Sequence, residues 1–179
     1  QRKHPLAGMP YGLPGLQADE LNIVTRWLAA GGPYEGDLPL TGTQRQQVQQ
    51  WELFLNGPSD KERLMSRYLY EHLYLGHLQF DADATHRSFR IVRSRTPPGQ
   101  PVDIIASRRP YDDPGVARLW YRLEPERETL LAKTHMPYAL SASRMDKYRR
   151  WFLQPAFAVS ALPAYTVAVS SNPFIAFRD

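Results

Sequence analysis

The chain contains no cysteine among its 179 residues. That excludes a disulfide framework, thiolate metal sites and a cysteine nucleophile, and leaves the redox compartment unmarked. It also lacks an apolar run of bilayer length and a charged start leading through an apolar stretch to a small-residue cleavage site, so the sequence shows neither a membrane span nor a secretory address. Neither charge sign dominates: 22 Lys and Arg face 18 Asp and Glu, a formal net charge of +4. The small excess is dispersed along the chain, which is not the footprint of a nucleic-acid surface, and nucleic acid is not among the expected partners. Hydrophobic residues make up 42% of the chain, enough for a buried core and one domain, or one domain with a small neighbour.

Proline and arginine are plentiful, and they concentrate in residues 93–115, RSRTPPGQPVDIIASRRPYDDPG. Pro97, Pro98, Pro101, Pro110 and Pro114 fix backbone angles and remove amide donors, so this stretch is a loop. Val102, Ile104 and Ile105 give it something to bury, which predicts an ordered one. Arg93, Arg95, Arg108 and Arg109 occur with Asp103, Asp112 and Asp113. Composition favours arginines that brace the turns against these carboxylates; the alternative is that one or two face a cavity and hold a ligand's carboxylate.

Along the chain, residues 1–33 form a first unit: a proline-rich loop carrying His4 and Met9, then an amphipathic helix with Leu21, Val24 and Leu28 in phase, ended by Gly31-Gly32-Pro33. Residues 34–43 read as a linker. Residues 44–56 predict a helix with Val48, Trp51 and Leu55 on its apolar side. Residues 59–80 predict the longest helix, opened by a capping box of Ser59 and Glu62. On that helix His72 and His77 are five apart and point in different directions, so they are not a helix-borne metal pair. Two core histidines or a catalytic His72 are the alternatives. Residues 88–94 alternate as a strand, and residues 116–125 and 128–140 suggest two more, joined at 124–128, although residues 123–133 could equally begin a helix. His135 and Met136 fall near the end of the last of these, with Tyr138 beyond. Residues 141–153 predict a helix capped by Ser143 and Asp146, with Met145, Tyr148 and Phe152 on one side. The remainder, around Pro163 and Pro173, suggests edge strands or extended coil. The expected class is α+β: a helical unit, a helix-rich segment, then antiparallel strands with a long Pro/Arg-rich loop.

The motifs MPYGLPGL, YEHLYLGHL, SRTPPGQP, RRPYDDPG, AKTHMPYAL and NPFIAFR occur in this order. Together they resemble the bacterial, Pseudomonas-type fatty acid cis/trans isomerases, over nearly the whole chain. The resemblance implies conversion of cis-unsaturated fatty acids to trans isomers in place, a membrane response to stress, in the periplasm, with transient contact with membrane lipids. It also implies haem c, attached by a CxxCH motif upstream of the region corresponding to Gln1. This chain has no such motif, opens on Gln1 and stops at Asp179, so it is expected to be a piece of a longer polypeptide whose remainder is a partner. Rotation about an isolated double bond requires a weakened π bond, which haem iron can supply and acid or base side chains cannot. On the same resemblance residues 1–33 are the C-terminal part of a cytochrome-c-like domain, and residues 44–179 part of the main isomerase domain. Class I cytochromes c present a loop methionine to iron just before a final helix, which makes Met9 the candidate distal ligand and His4 its competitor. Arg95, Arg108 and Arg109 are the candidates for the fatty acid carboxylate, and His135, Met136, Tyr138 and His72 for the catalytic wall. The alternative is a periplasmic electron-transfer cytochrome or a non-catalytic lipid-binding module.

Overall fold

A computed structural model of the chain describes residues 15–33, 39–81, 83–126 and 136–178. The expectations placed on His4, Met9 and His135 lie outside these residues. Two compact units are present, Gln1–Leu38 and Pro39–Asp179. In the first, α1 (Ala18–Ala29) begins where the Glu20 carboxylate accepts the Gln17 amide at 2.8 Å. It ends at Gly31 and Gly32, both at positive φ, where the chain turns so tightly that Gly32 lies against the Trp27 ring and Trp27 Nε1 donates to the Pro33 carbonyl.

The second unit is α+β. Its helices start where the side chains dictate. Thr41 and Gln44 cap each other's amides at the head of α2 (Gly42–Leu55), and Ser59 and Glu62 do the same for α3 (Asp60–Leu73). The helix expected over residues 59–80 stops at Leu73. The chain turns through Gly76 and enters a strand, β1 (His77–Phe80), which places His77 on a sheet instead of a helix face. The local sequence suits either state; hydrogen bonding to strands on both sides decides it.

Those neighbours are β2 (Ser88–Ser94), antiparallel to β1, and β4 (Pro137–Leu140), parallel to it. β3 (Trp120–Pro125) pairs antiparallel with β2, giving the order β3-β2-β1-β4. Of the strands expected at 116–125 and 128–140, the structure shows β3 and β4 at opposite edges of the sheet; residues 127–135 lie outside the described ones. The register puts Leu78, Phe80, Phe89, Ile91, Tyr121, Leu123 and Leu140 on one face. That face packs on Trp51 and Leu55 of α2 and on Met65, Leu69 and Tyr70 of α3. The free edge of β3 is covered by side chains of α2 and of Asn56, which caps its end. Asn56 accepts the Tyr121 amide at 2.9 Å and donates to its carbonyl at 2.8 Å, while Glu52 accepts the Leu123 amide at 2.9 Å. A buried edge is thereby satisfied without another strand.

Beyond β4, α4 (Ala142–Tyr148) runs into a π-helical turn, Arg149–Leu153. Its cap is Ser141, whose hydroxyl accepts the Arg144 amide at 3.1 Å; the expected Ser143 and Asp146 lie inside the helix, where Asp146 pairs with Arg149. Tyr148 is buried against Trp51, with Met145 and Phe152 partly buried beside it, as the spacing predicts. The extended tail expected after residue 155 instead contains two short helices, α5 (Val167–Ser170) and α6 (Pro173–Ala176), the latter started by Asn172 and Pro173.

Burial pushes the phenols of Tyr70, Tyr121 and Tyr148 above their ordinary value, and Tyr148 further through its hydrogen bond with the Tyr138 hydroxyl. A raised folded pKa gives stability that is complete below the unfolded value, about 10, and is lost as pH climbs from there towards the folded values. Alkaline unfolding is therefore expected to begin above about pH 10. Tyrosinate absorbance at these positions should rise together with loss of helical circular dichroism; tyrosinate forming in a still-folded chain would contradict this.

Candidate functional site

Residues 93–115 form an ordered loop. Ser94 and Ile104 make an isolated antiparallel bridge, flanked by Arg95 N to the Asp103 carbonyl at 2.9 Å and Ile105 N to the Arg93 carbonyl at 2.8 Å. Two buried guanidinium groups hold it. Arg93, 1% exposed, lies over Tyr70 and donates to the Asp112 carbonyl at 2.7 Å and to the Ser107 hydroxyl. Arg122 of β3 donates to the carbonyls of Thr96, Pro97 and Gln100 at 3.3, 2.7 and 3.0 Å. Its Nε lies 2.9 Å from Glu52 Oε1, an ion pair without hydrogen-bond alignment.

The arginines singled out from the sequence sit on the outside of this loop. Arg95 is half exposed and pairs with Asp103 at 3.1 Å, and Arg109 pairs with Asp112 at 2.8 Å. Against a desolvation that would raise it, the Arg109 amide and guanidinium hold the Asp112 carboxyl below its ordinary value. Arg108 is exposed. His72 is exposed as well, with Nδ1 donating to the Tyr68 carbonyl at 2.8 Å and its ring stacked on Tyr68 at 3.9 Å. Met136 is 55% exposed at positive φ beside the start of β4. Tyr138 shares a hydrogen bond with Tyr148 and carries the Arg144 guanidinium over its ring. None of these residues lines either cleft described next.

The larger cleft, about 490 Å³, lies between the end of α2, the middle of α3, residues 114–121 and the irregular stretch that includes Leu162 and Tyr165. Its volume is within the range of small-molecule sites, about 300–1,000 Å³. Leu55, Pro58, Val116, Leu119 and Leu162 supply an apolar side, and Arg63, Arg67 and Arg118 supply three guanidinium groups. The lining contains no Asp or Glu. Arg67 is 3% exposed: its Nε pairs with Glu71 at 2.8 Å, Nη1 donates to the Pro163 carbonyl, and the Tyr165 ring lies 3.9 Å over the guanidinium. Its Nη2 is buried and has no hydrogen-bond partner. Arg63 pairs with Asp60, whereas Arg118 lies over Trp120, 4.9 Å from the ring centre. A smaller cleft of about 280 Å³ on the other side of α3 is lined by aromatic and aliphatic residues, Tyr68, Trp151, Phe152, Phe157 and Phe177 among them.

Sequence reasoning missed the larger cleft. Arg67 and Glu71 stand at i, i+4 spacing, which signals a pair, but nothing local says that the pair is buried. The larger cleft offers a haem iron no ligand: no histidine, methionine or cysteine lines it. His77, on β1, has Nδ1 2.8 and 2.9 Å from the two Glu126 oxygens. Among the described residues no group of three His, Asp or Glu could hold a metal ion, and no helix is long and apolar enough to cross a membrane.

No curated protein and no solved structure matches the chain. The sequence model of the family described as fatty acid cis/trans isomerase (CTI) matches residues 1–179, and the chain belongs to that family of isomerases, whose substrates are fatty acids.

Proposed function

We propose that this chain works within a longer periplasmic polypeptide that isomerises the cis double bonds of membrane fatty acids in place, stiffening the membrane under stress, and that the larger cleft receives the fatty acyl chain. One observation carries the placement: among the described residues this cleft joins an apolar side to a cluster of guanidinium groups with no acid in its lining, the pattern that an amphipathic acid requires. The apolar side removes the hydrocarbon from water, and the rigid junction of α2, α3 and β3 fixes where a mid-chain double bond stands.

A haem c, held by the remainder of the polypeptide, would supply the weakening of the π bond. Since the larger cleft offers it no ligand, no step is assigned to the cleft's residues through it. Met9 is the proposed distal iron ligand from this chain, with His4 its competitor, and residues 1–33 are the proposed end of the cytochrome-c-like part. Arg95, Arg108 and Arg109 for the carboxylate, with His135, Met136, Tyr138 and His72 for the wall near the double bond, are the alternative placement, in which the acyl chain lies outside the larger cleft.

The test is to incubate the full-length polypeptide with palmitoleate and measure the trans isomer by gas chromatography, with haem incorporated and with haem withheld. Trans product is expected with haem, falling to background without it. Equal rates in both preparations would overturn the haem requirement, and binding with no trans product in either would identify a lipid-binding module.

A further inference from the structure

We propose that Arg67 and Arg118 bind the oxyanion head of the acyl lipid, which sets the direction in which the chain enters the larger cleft. The assignment rests on the reading that this cleft holds the fatty acyl chain. It also rests on a separate observation, a guanidinium whose hydrogen bonding is incomplete. Arg67 Nε and Nη1 are committed to Glu71 and to the Pro163 carbonyl, while Nη2 is buried without a partner on a side chain only 3% exposed. Folded proteins leave few buried donors unpaired, and a charged donor is the least tolerable of them. An oxygen of an entering anion would complete the set.

The other two arginines divide the work. Arg63 is already paired with Asp60, so its charge is met locally. Arg118 has no acidic partner among the described residues and is held by the Trp120 ring, which orients the guanidinium while leaving its donors available. Both arginines line the cleft, so an anion entering it would meet one incompletely bonded guanidinium and one charge without an acidic partner among the described residues, and Leu55, Leu119 and Leu162 line the space that its chain would occupy. Tyr165, stacked on Arg67 from a stretch without regular structure, covers this end and must tilt to admit the head.

The head could be the carboxylate of a free acid or the phosphate of a phospholipid, and the test separates them. Equilibrium dialysis of the full-length polypeptide is run with palmitate, methyl palmitate and palmitoyl lysophosphatidate. All three chains are saturated, so the readout does not depend on isomerisation or haem. Arg118→Gln is expected to weaken palmitate binding about tenfold and to leave methyl palmitate unchanged. Arg67→Lys, which keeps the charge and loses the fork, is expected to weaken it by a similar factor. Arg149→Gln, the same change in an exposed pair elsewhere, should have no effect. Tighter binding of the lysophosphatidate with the same dependence on Arg118 would assign the anion to a headgroup phosphate. Unchanged palmitate affinity in Arg118→Gln, or equal losses for the acid and its ester, would overturn the proposal. If Arg67→Lys does not fold, Arg118→Gln, on an exposed residue, still decides. Arg118-dependent palmitate binding in a polypeptide that forms no trans product would uphold this site while refuting the isomerisation reading.

Discussion

Replacing Glu52 by alanine is expected to lower stability by about 3–5 kcal/mol, the effect of breaking a buried ion pair by removing one partner. The Glu52 carboxylate serves two elements at once. It accepts the Leu123 amide at the edge of β3 and faces Arg122 Nε at 2.9 Å, both side chains being buried. Without it the Leu123 amide loses its acceptor and the Arg122 charge its counterion, while the guanidinium stays fixed by the three loop carbonyls of Thr96, Pro97 and Gln100. Glu52→Gln keeps an acceptor for the amide and loses only the charge, so its loss should be smaller, about 1–3 kcal/mol. The double change Glu52→Leu with Arg122→Met should recover much of the stability, since an apolar replacement of both partners leaves no buried charge. Urea unfolding of the three variants orders them. A loss under about 1 kcal/mol in Glu52→Ala would mean that water reaches the pair and that the edge of β3 is not sealed as described.

The parts of this fold legible in the sequence are those decided within one or two turns. The capping box of Ser59 and Glu62, the apolar side of α2 at Trp51 and Leu55, and the glycine stop after α1 are local, and the structure shows each. β1 was hidden because residues 77–80 extend a helical pattern without interruption apart from Gly76, and only pairing with β2 and β4 makes them a strand. The edge of β3 was hidden for the same reason: Glu52 is an ordinary helix residue and Asn56 the cap that follows it until a strand 71 and 65 positions away meets them. The candidate site shows the limit most plainly. Proline and charge drew attention to residues 93–115, where Arg95 and Arg109 turn out to pair within the loop, as composition favoured. The arginines of the larger cleft come from α3 and from residue 118, and no short-range pattern joins them.

The same loop supplies the second large effect. Arg93→Ala is expected to destabilise the protein by about 3–5 kcal/mol, whereas Arg95→Ala, a few residues' reach away on the surface, should change stability by less than about 1 kcal/mol. Arg93 lies on the same face of β2 as Phe89 and Ile91, so its stem is packed in the core while its guanidinium bonds the Asp112 carbonyl and the Ser107 hydroxyl. Tyr74 reinforces the junction by donating its hydroxyl to the Ser107 carbonyl at 2.9 Å. Truncating Arg93 therefore opens a cavity over Tyr70 and frees the return limb of the loop, while the first limb stays tied by Arg122. Hydrogen exchange is expected to separate the two: amides of residues 105–112 should lose protection in Arg93→Ala, whereas the Arg95 amide, bonded to the Asp103 carbonyl, should keep it below the threshold of global unfolding. Arg93→Lys should fall between, since an ammonium keeps the charge but cannot span both acceptors. Protection of residues 105–112 that survives in Arg93→Ala would show that the proline-stiffened backbone holds its shape unaided, and that the buried guanidinium is a consequence of the loop's path instead of its cause.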